Sequence, residues 1–117
     1  MRVKRDKLDI LFSKYMRLKT NGVCECCLQT FPMGKLQVAH FFGRRYKALR
    51  WDEENVSVLC FSCHQHFHEQ PLEYVEWFKA RLGGKFDLLQ VRARVTAKYV
   101  DKELIELYLQ AKIKEIK

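Results

Sequence analysis

Cys24 and Cys27 in "VCECCLQ", and Cys60 and Cys63 in "LCFSCHQ", form two C-x2-C pairs with 32 residues between them. Such a pattern suits a tetrahedral zinc ion, because each pair wraps one side of the metal through a tight turn and four thiolates complete the shell. A chain that closes this site must bring two distant segments together, and that restricts the folds open to it. Five cysteines in a chain with no signal-peptide core argue for metal over disulfides, since reducing compartments do not maintain disulfides. Cys26 is then left over as a free thiol. A second ligand set stays open: on a helix Cys60 sits i, i+4 from His64 as well as i, i+3 from Cys63, so a Cys3His site is also compatible.

At 117 residues the chain is expected to form one domain over 1–117, small enough to gain from a metal staple. Its parts read as an amino-terminal helix in 1–22, zinc knuckles and their core in 23–70, and helices in 71–117. With 48% hydrophobic and 31% charged residues it is a globular chain and not a disordered tail. No apolar run approaches the length that spans a bilayer, so an intracellular, cytoplasmic protein with no membrane partner is expected.

The net charge of +8 favours polyanionic partners, DNA among them. Residues 1–20 carry seven basic and two acidic side chains, and residues 85–117 carry eight and five. Arg2, Lys4, Arg5 and Lys7 at the amino end, with Arg44, Arg45, Lys47 and Arg50 in the middle, are candidates for phosphate contacts. The plainer reading of any one of them is a solvated surface.

Hydrophobic periodicity predicts a helix over 4–20, with a stop at Asn21-Gly22. "KLQVAHFFGRR" reads as a strand carrying His40, residues 44–54 as a loop, and "NVSVLC" as a second strand. A helix should open near Phe61 and stop before Pro71. "PLEYVEWFKARLGG", with proline first and glycines last, predicts a helix over 71–82. Helices over 85–98 and 101–116 follow, the last with Asp101 as its cap. The fold class is therefore α+β: a small zinc-stabilised strand, strand, helix unit embedded in several α-helices.

Within this unit His40 lies on the first strand, Asn55 opens the second, and His64 and His68 fall one turn apart on one face of the next helix. Phosphodiester cleavage needs a base for the attacking water, a cation on the phosphate and something to orient the base. Imidazole, with a pKa near neutrality, suits the first role, and His40 can fill it. Asn55 can bond the His40 ring or tie the backbone of the intervening loop, while His64 and His68 offer two nitrogens to a divalent ion. Taken singly, each residue has a duller reading: a core histidine, a turn asparagine, exposed helical histidines. His66 points away from the His64 and His68 face.

Taken together, "AHFFGRRYKALRWDEENVSVLCFSCHQHF" resembles the HNH, or ββα-metal, endonuclease motif, with His40, Asn55 and His64 at its three named positions. The stretch from Cys24 to about Gly84 is similar to the NinG (Rap) recombination proteins of lambdoid phages, including the tyrosine-bearing helix after "PLEY". The successive intervals from His40 to Asn55, Asn55 to His64 and His64 to His68, namely 15, 9 and 4 residues, are also similar to those of the nuclease colicins. The resemblance implies His40 as base, Asn55 as its organiser, His64 as ligand of a catalytic divalent cation, and His68 as second ligand. It implies DNA as substrate, branched or recombination-intermediate DNA in particular, and 5′-phosphate and 3′-hydroxyl products. A homodimer would let two centres cut both strands.

One position departs from the pattern. Many HNH enzymes place Asp or His immediately before the catalytic histidine as a cation ligand, and here that residue is Ala39. The ion would rely on His64, His68, water and phosphate, a set that favours Mn²⁺ or a later transition metal over Mg²⁺. The alternative function is a zinc-stabilised DNA-binding module with a degenerate centre. A purely structural zinc domain leaves the order His40, Asn55, His64 unexplained.

Overall fold

The computed structural model describes residues 4–95 and 100–116, and all that follows concerns these. Five helices surround one antiparallel hairpin: α1 (Lys7–Lys19), β1 (Leu36–His40), β2 (Val56–Cys60), α2 (Phe61–Glu69), α3 (Pro71–Leu82), α4 (Lys85–Ala93) and α5 (Lys102–Ile116). The α+β class and the β1, β2, α2 succession thus agree with the sequence pattern. No helix is long and apolar enough to cross a membrane.

Helix α1 starts three residues later than expected, because Asp6 caps it. The Asp6 carboxylate accepts from the amides of Leu8 and Asp9, and Asp9 reaches back to the Asp6 amide at 2.8 Å. It ends through Asn21 and Gly22, both at positive φ; a Cβ on Gly22 would lie 3.1 Å from the Phe31 carbonyl oxygen, so only glycine fits that turn. At the other end of the chain Asp101 accepts from the Leu104 amide at 3.1 Å and caps α5. Helix α4 stops at Ala93, short of the expected 98, and residues 96–99 lie outside those described.

In the hairpin His40 stands opposite Val56 and Leu36 opposite Cys60. Strand β2 is buried along its whole length, as a strand covered on both faces must be. One core joins Leu8, Phe12, Tyr15 and Met16 of α1 to Val56, Val58 and Leu59 of β2, and to Leu109 and Ile113 of α5. A second gathers Leu49, Phe78, Phe86 and Leu89, with Phe41 stacked on Phe78 at 4.3 Å between ring centres.

Polar clasps hold the layers in register. Glu53, before β2, accepts from Tyr15 of α1 at 3.2 Å and from Tyr108 of α5 at 2.9 Å, and pairs with Lys19. Arg81 of α3 donates to the Val56 carbonyl, the Ser57 hydroxyl and Glu25. Glu25 in turn exchanges hydrogen bonds with the Val58 backbone at 2.7 and 2.9 Å. The first cysteine knuckle is therefore laced along β2, and this lacing carries Cys24 and Cys27 to the strand end where Cys60 lies.

Candidate metal centre and histidine cleft

The four cysteines of the two pairs converge: the sulfurs of Cys24, Cys27, Cys60 and Cys63 all lie within 4.8 Å of one another. The Cys27 and Cys60 sulfurs are 4.0 Å apart, near the separation of about 3.8 Å that a tetrahedral shell with zinc–sulfur bonds of about 2.3 Å demands. The Cys60 amide also points at the Cys24 sulfur, 3.3 Å away. Four cysteines placed so can hold a metal ion such as zinc, and His64 is not part of the group, which settles the open choice against Cys3His. Cys26 stays outside and packs partly buried against the main core.

Thiol electrostatics fit an ion. Burial opposes ionisation of Cys24, yet the amides of Cys27, Cys60 and Cys26 outweigh it and bring the thiol down to about 7. Burial pushes Cys63 the other way, and the neighbouring thiols of Cys60 and Cys24 push it further up. Without a cation one thiolate suppresses the next, whereas a divalent ion accommodates all four.

The second constellation is built on β1 and α2. His40 and His64 line one cleft of about 560 Å³ together with Arg5, Asp9, Arg17 and Arg44. Both histidines also border an adjoining hollow that adds Ala39, His68 and Tyr74. The two rings named in the sequence thus face common space although they come from a strand and a helix.

His40 is held through its Nε2, 2.9 Å from the carbonyl oxygen of Arg50. A carbonyl only accepts, so Nε2 carries the proton and Nδ1 keeps its lone pair. Burial lowers the His40 pKa below 6.5, aided by Arg44 and opposed by that hydrogen bond and by Asp9. The ring is therefore neutral, in a single tautomer, at physiological pH.

Asn55 does not touch the His40 ring. Fully buried, it accepts from the Phe42 amide at 2.9 Å and donates to the carbonyls of Phe42 and Leu49 at 2.9 and 3.1 Å. Of the two roles open in the sequence, the geometry matches the loop tie: one amide side chain closes the segment that carries Arg44, Arg45 and Lys47. Those three remain partly or fully exposed, and Arg45 lies over the Tyr46 ring.

Arg50 requires a correction. Grouped by sequence with the phosphate-contacting cations, it is buried, and its guanidinium is committed to Asp9 (Nε to Oδ1 3.0 Å) and to the Lys4 carbonyl. Neutralised and shielded in this way, it cannot serve as a free surface charge. Asp9 accepts as well from the Trp51 indole at 3.1 Å. Burial of the Asp9 carboxyl raises its pKa, but the bonds from Arg50 and the Asp6 amide prevail and hold it below 3.8.

His64 touches Gln37 through Nδ1 and the amide oxygen Oε1. Its pKa is lowered, first by burial and then by His68 one turn along. His68 is exposed, and His66 pairs with Glu73 away from the cleft. Apart from the cysteines, no grouping of three or more His, Cys, Asp or Glu ligand atoms this close occurs among the described residues. His64 and His68, one turn apart on α2, border the same hollow.

Four polar cleft residues escaped the sequence reading: Asp9, Ser13, Arg17 and Gln37. A signal existed for the first three, since Arg5, Asp9, Ser13 and Arg17 recur every four residues and all line the cleft as one polar stripe. Comparison with known proteins finds no matching family model, no matching curated protein and no matching solved structure.

Proposed function

We propose that the protein is a zinc-stabilised, metal-dependent DNA endonuclease of the HNH type that hydrolyses phosphodiester bonds, with branched or recombination-intermediate DNA as its substrate. The observation that carries the reading is His40: neutral, held in one tautomer by the Arg50 carbonyl, and sharing a cleft with His64 and the cations Arg5, Arg17 and Arg44.

In this reading His40 Nδ1 takes a proton from water as the water oxygen forms its bond to phosphorus. The bond from phosphorus to the 3′ oxygen breaks on the opposite side, and a solvent proton neutralises the departing oxygen. His64 and His68 would hold a divalent cation, which would supply charge stabilisation when bound. Arg44, held near Asp9 at 3.9 Å, with Arg5 and Arg17, attracts and orients the backbone. Asn55 keeps the 42–49 segment closed, so that Arg44, Arg45 and Lys47 stand at the rim. Cys24, Cys27, Cys60 and Cys63 hold the structural ion.

The test is nicking of supercoiled plasmid and of four-way junctions in Mn²⁺ or Mg²⁺. Cleavage by the wild type, slowed about 10²- to 10⁴-fold in His40→Ala with DNA affinity retained, is the expected result; full cleavage by the variant refutes the assignment. Ala39 favours one competing reading, a DNA-binding module with a degenerate centre, because a buried methyl lies where a ligand would complete the shell. DNA binding without cleavage in any divalent ion would select that alternative.

A further inference from the structure

We propose that Gln37 is a positioning residue for His64: its carboxamide oxygen accepts Nδ1–H of the ring, so that Nε2 is left as the lone-pair nitrogen. The inference rests on the reading above only in taking His64 as the cation ligand.

Gln37 lies on β1 three residues before His40, and its Oε1 meets His64 Nδ1 across the gap from β1 to α2. An amide oxygen has no proton to give, so a bond between these atoms requires the proton on the ring nitrogen. Both side chains line the cleft that holds His40. The strand that carries the base thus also orients the helical histidine, which sets the two rings by one rigid element. Metal-binding imidazoles usually give their second nitrogen to an oxygen acceptor, and loss of that acceptor typically lowers affinity by about 10- to 100-fold. Ala39 adds weight to the role, because with few protein ligands present the orientation of each one matters more.

Ring nitrogen–proton correlation spectra of the zinc-loaded protein, at pH 8 and without other metal, read the tautomer directly. His64 is expected as the Nδ1–H form in the wild type and as the Nε2–H form in Gln37→Ala, with His40 unchanged at Nε2–H as the internal reference. Mn²⁺ affinity should fall by about 10- to 100-fold in Gln37→Ala, while Gln37→Glu, which keeps an acceptor oxygen, should restore the Nδ1–H form. Gln37 is exposed, so the fold should survive both changes. A proton on Nε2 of His64 in the wild type, or a tautomer and Mn²⁺ affinity indifferent to Gln37→Ala, overturns the proposal. A tautomer and affinity that follow Gln37 in a protein that cleaves no DNA support it and refute the nuclease reading instead.

Discussion

The carbonyl oxygen of Arg50 receives the Nε2–H of His40 at 2.9 Å, while the guanidinium of the same Arg50 is gripped by Asp9 of α1. One residue therefore couples a helix to the imidazole through two different ends. The Asp9 carboxylate holds the side chain, the side chain sets the backbone, and the backbone selects the tautomer of the ring. His40 owes its orientation to this relay, and Asn55 acts separately by closing the loop between them.

Asp9→Asn should destabilise the fold by about 1.5–3 kcal/mol, because the buried guanidinium loses its charge-assisted bonds to Asp9 and keeps only the Lys4 carbonyl and the Asp6 carboxylate at 3.6 Å. Urea unfolding at pH 7 measures this directly, and a loss below about 1 kcal/mol would mean that Arg50 finds solvent or another partner. The sign with pH follows from the lowered carboxyl pKa. The contribution of Asp9 is complete above 3.8 and disappears as pH falls through its folded value.

For His40 the pKa is lowered by burial, so the ring stays unprotonated somewhat below pH 6.5, as the proposed role of base requires. The acid limb of the cleavage rate should accordingly lie under 6.5, and His40→Ala should cost about 10²- to 10⁴-fold in rate. Linkage to stability has the same direction: the unfolded chain binds the proton first, so stability is full above 6.5 and declines as pH drops toward the folded value. A rate profile whose acid limb sits at or above 6.5 would contradict the buried neutral ring.

One equivalent of zinc per chain is expected, and Cys26→Ser should keep it whereas Cys27→Ser should not. Elemental analysis of the purified variants distinguishes them. Structural zinc contributes on the order of 10–16 kcal/mol of apparent binding free energy, so chelation should lower the melting temperature of the wild type sharply. Equal zinc loss in both variants would place Cys26 in the shell.

The hydroxyl of Tyr74 is buried and makes no well-formed hydrogen bond among the described residues, and burial drives its pKa up to about 12 against the opposing pull of Arg81 and the nearby Ser57 hydroxyl. Tyr74→Phe removes a polar group that is already unsatisfied, so stability should hold or rise by about 1 kcal/mol. Thermal melts of the two proteins decide it, and a clear drop would reveal a partner for that oxygen.

Local signals were readable where neighbours in sequence are neighbours in space. The cysteine spacing, Pro71 and Gly83 at the ends of α3, and the Asp101 cap all express contacts within a few residues. The start of α1 was misjudged because the period, which begins at Leu8, does not mark the first turn, whereas the capping carboxylates of Asp6 and Asp9 do. Arg50 and Asp9 lie 41 residues apart, and nothing in either segment marks them as partners. Both look like ordinary surface charges until the fold removes them from water. Gln37 was invisible for a similar reason: its relevance depends on the height at which α2 crosses β1. Asn55 was read with two possible duties, and only the fold separates them, by setting its side chain against the backbone of Phe42 and Leu49.

Cys60 closes β2, and the next residue, Phe61, opens α2, so a single peptide link separates a sulfur of the thiolate cage from the helix that bears His64 and His68. The cage and the histidines are geared to each other. Swelling it with a bulkier soft ion, or emptying it, would swivel the helix and swing both imidazoles out of place, so a chain starved of zinc would misplace His64 and His68 before the remainder of the fold gave way.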